Sequence, residues 1–333
     1  MARADLLVKL LTSGSDGDKQ VFRKTAEALI HEEKSKGHRI LAERLTKSLR
    51  PASPEAVHNS VPRAYGSNGQ QKDLVYETTP ERSLGNLVLL DHIRNQIEEV
   101  VEEQHRSDLL HAHNLRARNR LLFGGPPGNG KTTLAEALAH ELMYPLLVVR
   151  YETLIGSYLG ETSGRLKHLL DYAKTQRCVL FFDEFETLGK ERGDTHETGE
   201  IKRVVSSLLL QIDDLPDYVV VVAASNHPEL LDRAVWRRFQ IRVELPMPTQ
   251  QQISRYIETL VQRFQVNFGY TPGTLARYFR DLNFGEVEEF CLSVARRAIL
   301  DHQTDNAKTI TQTKLEQWEK RLTPSANKKK GGK

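Results

Sequence analysis

Long hydrophobic runs are missing from this chain of 333 residues. No apolar stretch approaches the roughly 18–20 residues a membrane span requires, and the longest, such as Tyr218–Ala224, have the length of a strand. Cysteine is scarce: Cys178 and Cys291 lie far apart with no Cys-x-x-Cys, which excludes a disulfide framework and a thiolate zinc site. Both are expected as buried thiols of a reducing, cytoplasmic protein. His-Glu-x-x-His and Gly-x-Ser-x-Gly are absent, so neither common protease signature is present. No small-residue cleavage site follows the opening MARADLLVKLL, so no secretory leader is expected. His105, His111 and His113 lack cysteine neighbours and i, i+4 spacing, and are expected to be solvated.

Charge of one sign is also lacking. The 47 basic and 44 acidic residues leave +3, and the pI of about 8.7 hints at nucleic acid. Its source argues otherwise. The last six residues, KKKGGK, hold four lysines and no acid, so the rest of the chain is slightly acidic. The basic character belongs to the chain ends, not to a nucleic-acid-binding core.

The hydrophobic pattern divides the chain. Leu6, Leu7, Leu10 and Leu11, then Phe22, Ala26, Leu29 and Ile30, then Leu41, Leu45 and Leu49 mark three short amphipathic helices. They predict a small helical N-terminal unit over 1–50. Pro51 stops it, and the Pro-, Ser-, Gly- and Asn-rich stretch 51–80 reads as a linker. From Glu81 short apolar runs (Leu121–Phe123, Leu146–Arg150, Val179–Phe182, Tyr218–Ala224 and Ile241–Leu245) alternate with amphipathic segments near Thr133–Leu142, Ser163–Lys174 and Ile201–Ile212. This alternation predicts an α/β unit over 81–246: a parallel five-stranded sheet with helices on both faces. After Pro246 and Pro248 the pattern is helical, predicting an all-α unit over 247–323 and a basic, disordered tail over 324–333.

The strongest motif is Gly125-Pro126-Pro127-Gly128-Asn129-Gly130-Lys131-Thr132, set between an apolar run and a helix-forming one. It fits the phosphate loop of P-loop NTPases in its required strand–loop–helix context. Glycines let backbone N–H groups curl around phosphate oxygens at a helix N-terminus. Residues Pro127 to Thr133 are therefore candidate ATP-binding residues. Lys131 would reach the β- and γ-phosphates, and Thr132 would offer a hydroxyl to Mg²⁺. The second motif is Asp183-Glu184 at the end of Cys178-Val-Leu-Phe-Phe. Carboxylates at the carboxyl edge of such a sheet lie where ligands bind. Asp183 suits the Mg²⁺, and Glu184 suits a base for the attacking water. Asn226, after the next strand, could orient that water.

In these ordered motifs the chain resembles the AAA ATPases of the wider AAA+ class, over roughly residues 81–322. Leu84-Gly85-Asn86-Leu87-Val88 resembles the family's adenine-contacting segment, which implies Asn86, Leu87 and Val88 as nucleotide contacts. Leu231-Asp-Arg-Ala-Val-Trp-Arg237-Arg238-Phe239 resembles its second region of homology, implying that Arg237 and Arg238 complete a neighbouring subunit's site in trans. Guanidinium charge near a γ-phosphate stabilises the transition state and couples hydrolysis to assembly. Ser157-Tyr158-Leu159-Gly160-Glu161 falls at the pore loop of substrate-threading members, implying Tyr158 and Leu159 as polypeptide grips. His196 falls at the second pore loop. The helical lid usually starts its third helix with Ser-Gly-x-Asp. Here Leu282-Asn283-Phe284-Gly285-Glu286 keeps Gly285 as a nucleotide contact but lacks the serine.

The resemblance thus implies an ATP- and Mg²⁺-dependent ring, a homo-oligomer and in the family typically a hexamer, that threads or remodels a protein substrate through a central pore, with nucleotide between the α/β unit and the lid. A single such module behind a short helical N-domain is similar to stand-alone bacterial ATPases that accompany subtilisin-like serine proteases, which makes a separate protease a candidate partner. Two alternatives stay open at this level: a nucleic-acid-associated AAA+ loader using the basic ends, and an ATP-dependent assembly scaffold. Tyr158-Leu159-Gly160 argues for the polypeptide reading over the first.

Overall fold

A computed structural model describes residues 19–36, 74–150, 159–188 and 207–322, together with Leu6, Lys9, Thr12, Ala42, Leu45 and Thr46. The chain forms two compact units. One comprises Met1–Leu87, Asp91–Gly124 and Thr132–Val243; the other comprises Val88–Leu90, Gly125–Lys131 and Glu244–Lys333.

In the first unit the elements run α1 (Lys19–Ser35), β1 (Val75–Thr78), α2 (Asp91–His105), α3 (Ser107–Ala112), β2 (Arg120–Gly124), α4 (Lys131–Leu142), β3 (Leu146–Val149), α5 (Leu159–Ala173), β4 (Cys178–Phe182), a helix whose described part is 207–213, β5 (Val219–Ser225), α6 (Arg233–Arg238) and β6 (Ile241–Glu244). The sheet order is β1-β3-β4-β5-β2-β6. β3 with β4, β4 with β5 and β2 with β5 are parallel, whereas β1 with β3 is antiparallel. All five apolar runs become strands, but the sheet is six-stranded and mixed rather than five-stranded and parallel. The addition, Val75–Thr78, buries only Val75, and its other three residues are half-buried. Main-chain pairing with β3 holds it, so it carries no periodic hydrophobic signal.

β4 and β5 are buried at every residue. Strands covered on both faces read as continuous apolar runs, as Val219–Ala224 does. Phe123, Phe181, Phe182 and Phe185 are almost wholly buried, and each contributes about 1.5–3 kcal/mol through burial. Phe185 stacks edge-on between Phe182 and Phe239, with ring centroids 6.0 Å apart in each pair. Parallel register sets Phe182 opposite Ala223 and Gly124 opposite Ser225. β2, β4 and β5 therefore end at the same edge of the sheet.

The second unit contains α7 (Gln250–Phe264), α8 (Pro272–Tyr278), α9 (Phe284–Leu300) and α10 (Lys308–Leu322). Thr249 and Gln252 form a reciprocal capping box at the start of α7. Thr271 caps α8, and Pro272 opens it where its missing N–H costs nothing. The apolar faces expected from sequence meet: Ile253, Ile257, Leu260, Val287, Phe290, Val294, Ala298 and Leu315 share one core with Phe268 and Phe279.

Cys178 and Cys291 are buried free thiols. Burial, then the nearby Glu77 and Glu288 respectively, pushes each up to about 12. His105 and His113 are exposed, but His111 pairs through Nε2 with the Asp217 carboxylate.

Candidate nucleotide site

The segment from Gly125 to Gly130 joins the end of β2 to the start of α4. Gly125, Gly128 and Gly130 all have positive φ, at 134°, 75° and 86°. At Gly125 a β-carbon would stand 2.2 Å from the Leu245 carbonyl oxygen, and at Gly128 it would stand 2.5 Å from Asn283 Oδ1. Gly125 is needed for packing against the Leu245 backbone, and Gly128 for room beside the Asn283 side chain, as well as for the curl. Lys131 is buried, and its Nζ donates to the carbonyls of Gly125 at 2.7 Å and Pro126 at 2.9 Å. The ammonium is thus held over the mouth of the loop with carbonyl partners that a phosphate can replace.

Asn129 is buried too. Its Nδ2 donates to the Pro246 carbonyl at 3.2 Å and lies 3.5 Å from Met247 Sδ, while Oδ1 has no hydrogen-bond partner among the described residues. Gly285 N–H donates to the Gly128 carbonyl at 3.0 Å. The Asn283 side chain caps α9, accepting from Glu286 N–H at 2.8 Å, and Glu286 accepts from Asn283 N–H at 3.0 Å. Asparagine therefore does the capping that a serine would do. Pro127 and Gly285 are exposed, and Thr133 is half-buried.

In the first unit Thr132 Oγ1 donates to Asp183 Oδ2 at 3.1 Å, and Asp183 Oδ1 accepts from Glu184 N–H at 3.0 Å. Glu184 is exposed and left-handed, at φ 47°. Its carbonyl accepts from Thr187 N–H at 2.8 Å, closing a turn that runs into the 3-10 segment Phe185–Leu188. A bulky residue with positive φ is held there by its surroundings, here the Asp183 carboxylate and the buried Phe185. Asn226 follows β5 half-buried, and its side-chain amide has no hydrogen-bond partner among the described residues. Its backbone N–H donates to Glu186 Oε1 at 3.1 Å.

Arg237 is exposed and has no ion-pair partner among the described residues. Arg238 is paired with Asp213, which also holds Arg120 at the start of β2. Burial first, and the Arg238 charge second, pull Arg120 below its ordinary value. Asn86 is exposed, Leu87 and Val88 half-buried. The turn Leu84–Asn86 is fastened by Glu141, which accepts from Leu84 N–H at 2.8 Å, and by Arg94, which donates to the carbonyls of Leu84 at 3.1 Å and Leu87 at 2.8 Å. Leu159 is the first residue of α5. Tyr158 and His196 lie outside the described residues.

Sequence reasoning missed Glu186, Asp213, Asn283 and Arg94. Glu186 and Asp213 each stand in an acidic cluster that reads as solvated surface. Asn283 alone carried a local signal, the Asn-x-x-Glu spacing of a capping box.

The donors fit ATP and a hard divalent cation. The loop presents backbone N–H groups and a lysine ammonium to phosphate oxygens. Thr132 Oγ1 and Asp183 Oδ2 are a hydroxyl and a carboxylate 3.1 Å apart, the oxygen set that Mg²⁺ prefers.

A family model described as ATPase family associated with various cellular activities (AAA) matches residues 121–247. The uncharacterized AAA family ATPase y4kL of Sinorhizobium fredii is 37% identical over 308 residues, covering 91% of each chain. A 26S proteasome regulatory subunit homologue of Methanothermobacter thermautotrophicus is 31% identical over 189 residues, 56% of this chain and 51% of that one. The peroxisomal ATPase PEX6 of Pichia angusta is 32% identical over 197 residues, 56% of this chain and 17% of that one. With a relative this similar along 91% of both sequences, and a family match over residues 121–247, the chain belongs to the AAA family of ATPases and hydrolyses ATP.

Proposed function

We propose that the chain spends ATP on remodelling a protein substrate, working as a ring of identical subunits, six in number, with a polypeptide drawn through the centre. The observation that carries this reading is the aromatic–aliphatic–glycine sequence Tyr158-Leu159-Gly160, of which Leu159 and Gly160 open α5. Similarity to a proteasome regulatory subunit homologue and to a peroxisomal ATPase over the same half of the chain supports it. A separate serine protease is the partner proposed for degradation, since the chain has no protease signature of its own.

The chemistry divides among named residues. Backbone N–H groups of 128–133 and the Lys131 ammonium bind the β- and γ-phosphates beside Pro127; Asn86, Leu87, Val88 and Gly285 contact the nucleoside. Thr132 and Asp183 hold Mg²⁺, which when bound neutralises charge on the phosphates. Glu184 accepts the proton of the attacking water, and the Asn226 amide orients that water. Arg237 and Arg238 serve the neighbouring subunit's nucleotide, Arg238 on leaving Asp213.

Tyr158→Ala separates pulling from hydrolysis. The variant should keep its ATPase rate but fail to unfold a fluorescent protein bearing a disordered tail, read as ATP-dependent loss of fluorescence. Unfolding at the wild-type rate would refute threading through Tyr158.

A further inference from the structure

Glu186 is buried at 4% exposure, yet it stands two residues beyond exposed Glu184. Its Oε1 accepts the Asn226 N–H at 3.1 Å across forty residues of sequence, and its Oε2 is buried with no hydrogen-bond partner among the described residues. A bare buried carboxylate oxygen destabilises the fold, so stability alone does not account for this side chain. What it does is tie two segments together. β4 and β5 are parallel neighbours with Phe182 opposite Ala223, so the turn after β4 and the residue after β5 emerge next to each other. The β4 turn is closed by the Thr187 N–H on the Glu184 carbonyl and pinned from below by Phe185 between Phe182 and Phe239. The chain beyond β5 is otherwise braced locally, by His227 N–H on Ser225 Oγ at 3.1 Å and Leu230 N–H on the His227 carbonyl at 3.0 Å. The Glu186 carboxylate is the link from the first segment to the second.

We infer that Glu186 is a positioning residue for hydrolysis: by gripping the Asn226 backbone from the Glu184 turn, it keeps the water-orienting amide in register with the base. This rests on the roles proposed above for Glu184 and Asn226. Loss of the link lets the amide drift relative to the base, which slows the chemical step because that step depends on sub-ångström placement. The phosphate-binding loop belongs to a different segment, and Asp183 keeps its own bonds to Thr132 Oγ1 and the Glu184 N–H, so nucleotide affinity should hold. Glutamine keeps an acceptor oxygen for the Asn226 N–H; alanine does not.

The experiment compares Glu186→Ala, Glu186→Gln and Glu184→Gln for ATP turnover, for KM and for binding of a fluorescent ATP analogue. Glu186→Ala should lower kcat about tenfold or more with KM and analogue binding unchanged, and Glu186→Gln should return kcat to within about threefold of wild type. An unchanged kcat in Glu186→Ala would overturn the inference. So would a parallel loss of kcat and analogue binding, or a glutamine variant as slow as the alanine one. Glu184→Gln tells the two failures apart. If it turns over normally, the assignment of the base fails; if it is inactive while Glu186→Ala is fast, only the positioning role fails.

Discussion

Glu184 shows how strongly one residue can be constrained by its neighbours. A left-handed backbone costs a non-glycine residue about 1–2 kcal/mol, and the Asp183 carboxylate and the Thr187 N–H offset that cost. Asp183 and Glu184 were legible because the acidic pair directly follows an apolar run. Glu186 was not, because only the fold reveals that the third acid of the cluster points inward. The cysteines give a prediction at the same scale. Each folded thiol is pushed from 9.0 up to about 12, so it stays protonated while an unfolded thiol ionises. The unfolded chain then binds fewer protons, and stability falls as pH rises from about 9 to about 12. At pH 8 an aromatic disulfide reagent should label neither thiol in the native protein and both after unfolding in guanidinium. Rapid native labelling would contradict their burial.

Among the elements, the strands β2 to β6 and the helices of the second unit were readable from their apolar pattern, because burial of two or more residues in each stamps its sequence. β1 was not. Four residues paired along a sheet edge leave no alternation, and they lie in a stretch whose composition reads as linker. The phosphate loop was legible as chemistry but not as packing: nothing local shows that Gly125 abuts Leu245 or that Gly128 abuts Asn283. A glycine's role therefore depends on its element. Gly125→Ala forces a β-carbon within 2.2 Å of a carbonyl oxygen at φ 134°, and should destabilise by about 2 kcal/mol or more. Gly164→Ala, in the middle of α5 with open space at its β-carbon, should stabilise by about 0.5–1 kcal/mol. Urea midpoints of the two variants should move in opposite directions; a shared direction would contradict the loop packing.

At the scale of the molecule, the net charge of +3 proves to be a poor guide to function. What matters is where charges are held. Asp213 gathers Arg120 and Arg238 while Arg237 stays exposed, so the two adjacent arginines begin from different surroundings. The phosphate loop, Gly125–Lys131, is grouped with the helical unit through Leu245, Pro246, Asn283 and Gly285, although its chain runs between a strand and a helix of the sheet unit. Thr132, Asp183, Glu184 and Asn226 belong to the sheet unit. The proposed roles give binding and bond cleavage to different residues, and that separation is the central claim. Its most direct test is Glu184→Gln, measured for ATP affinity and for single-turnover hydrolysis on the same preparation. The account predicts wild-type affinity with hydrolysis slowed about 100-fold or more. Hydrolysis at the wild-type rate would contradict it.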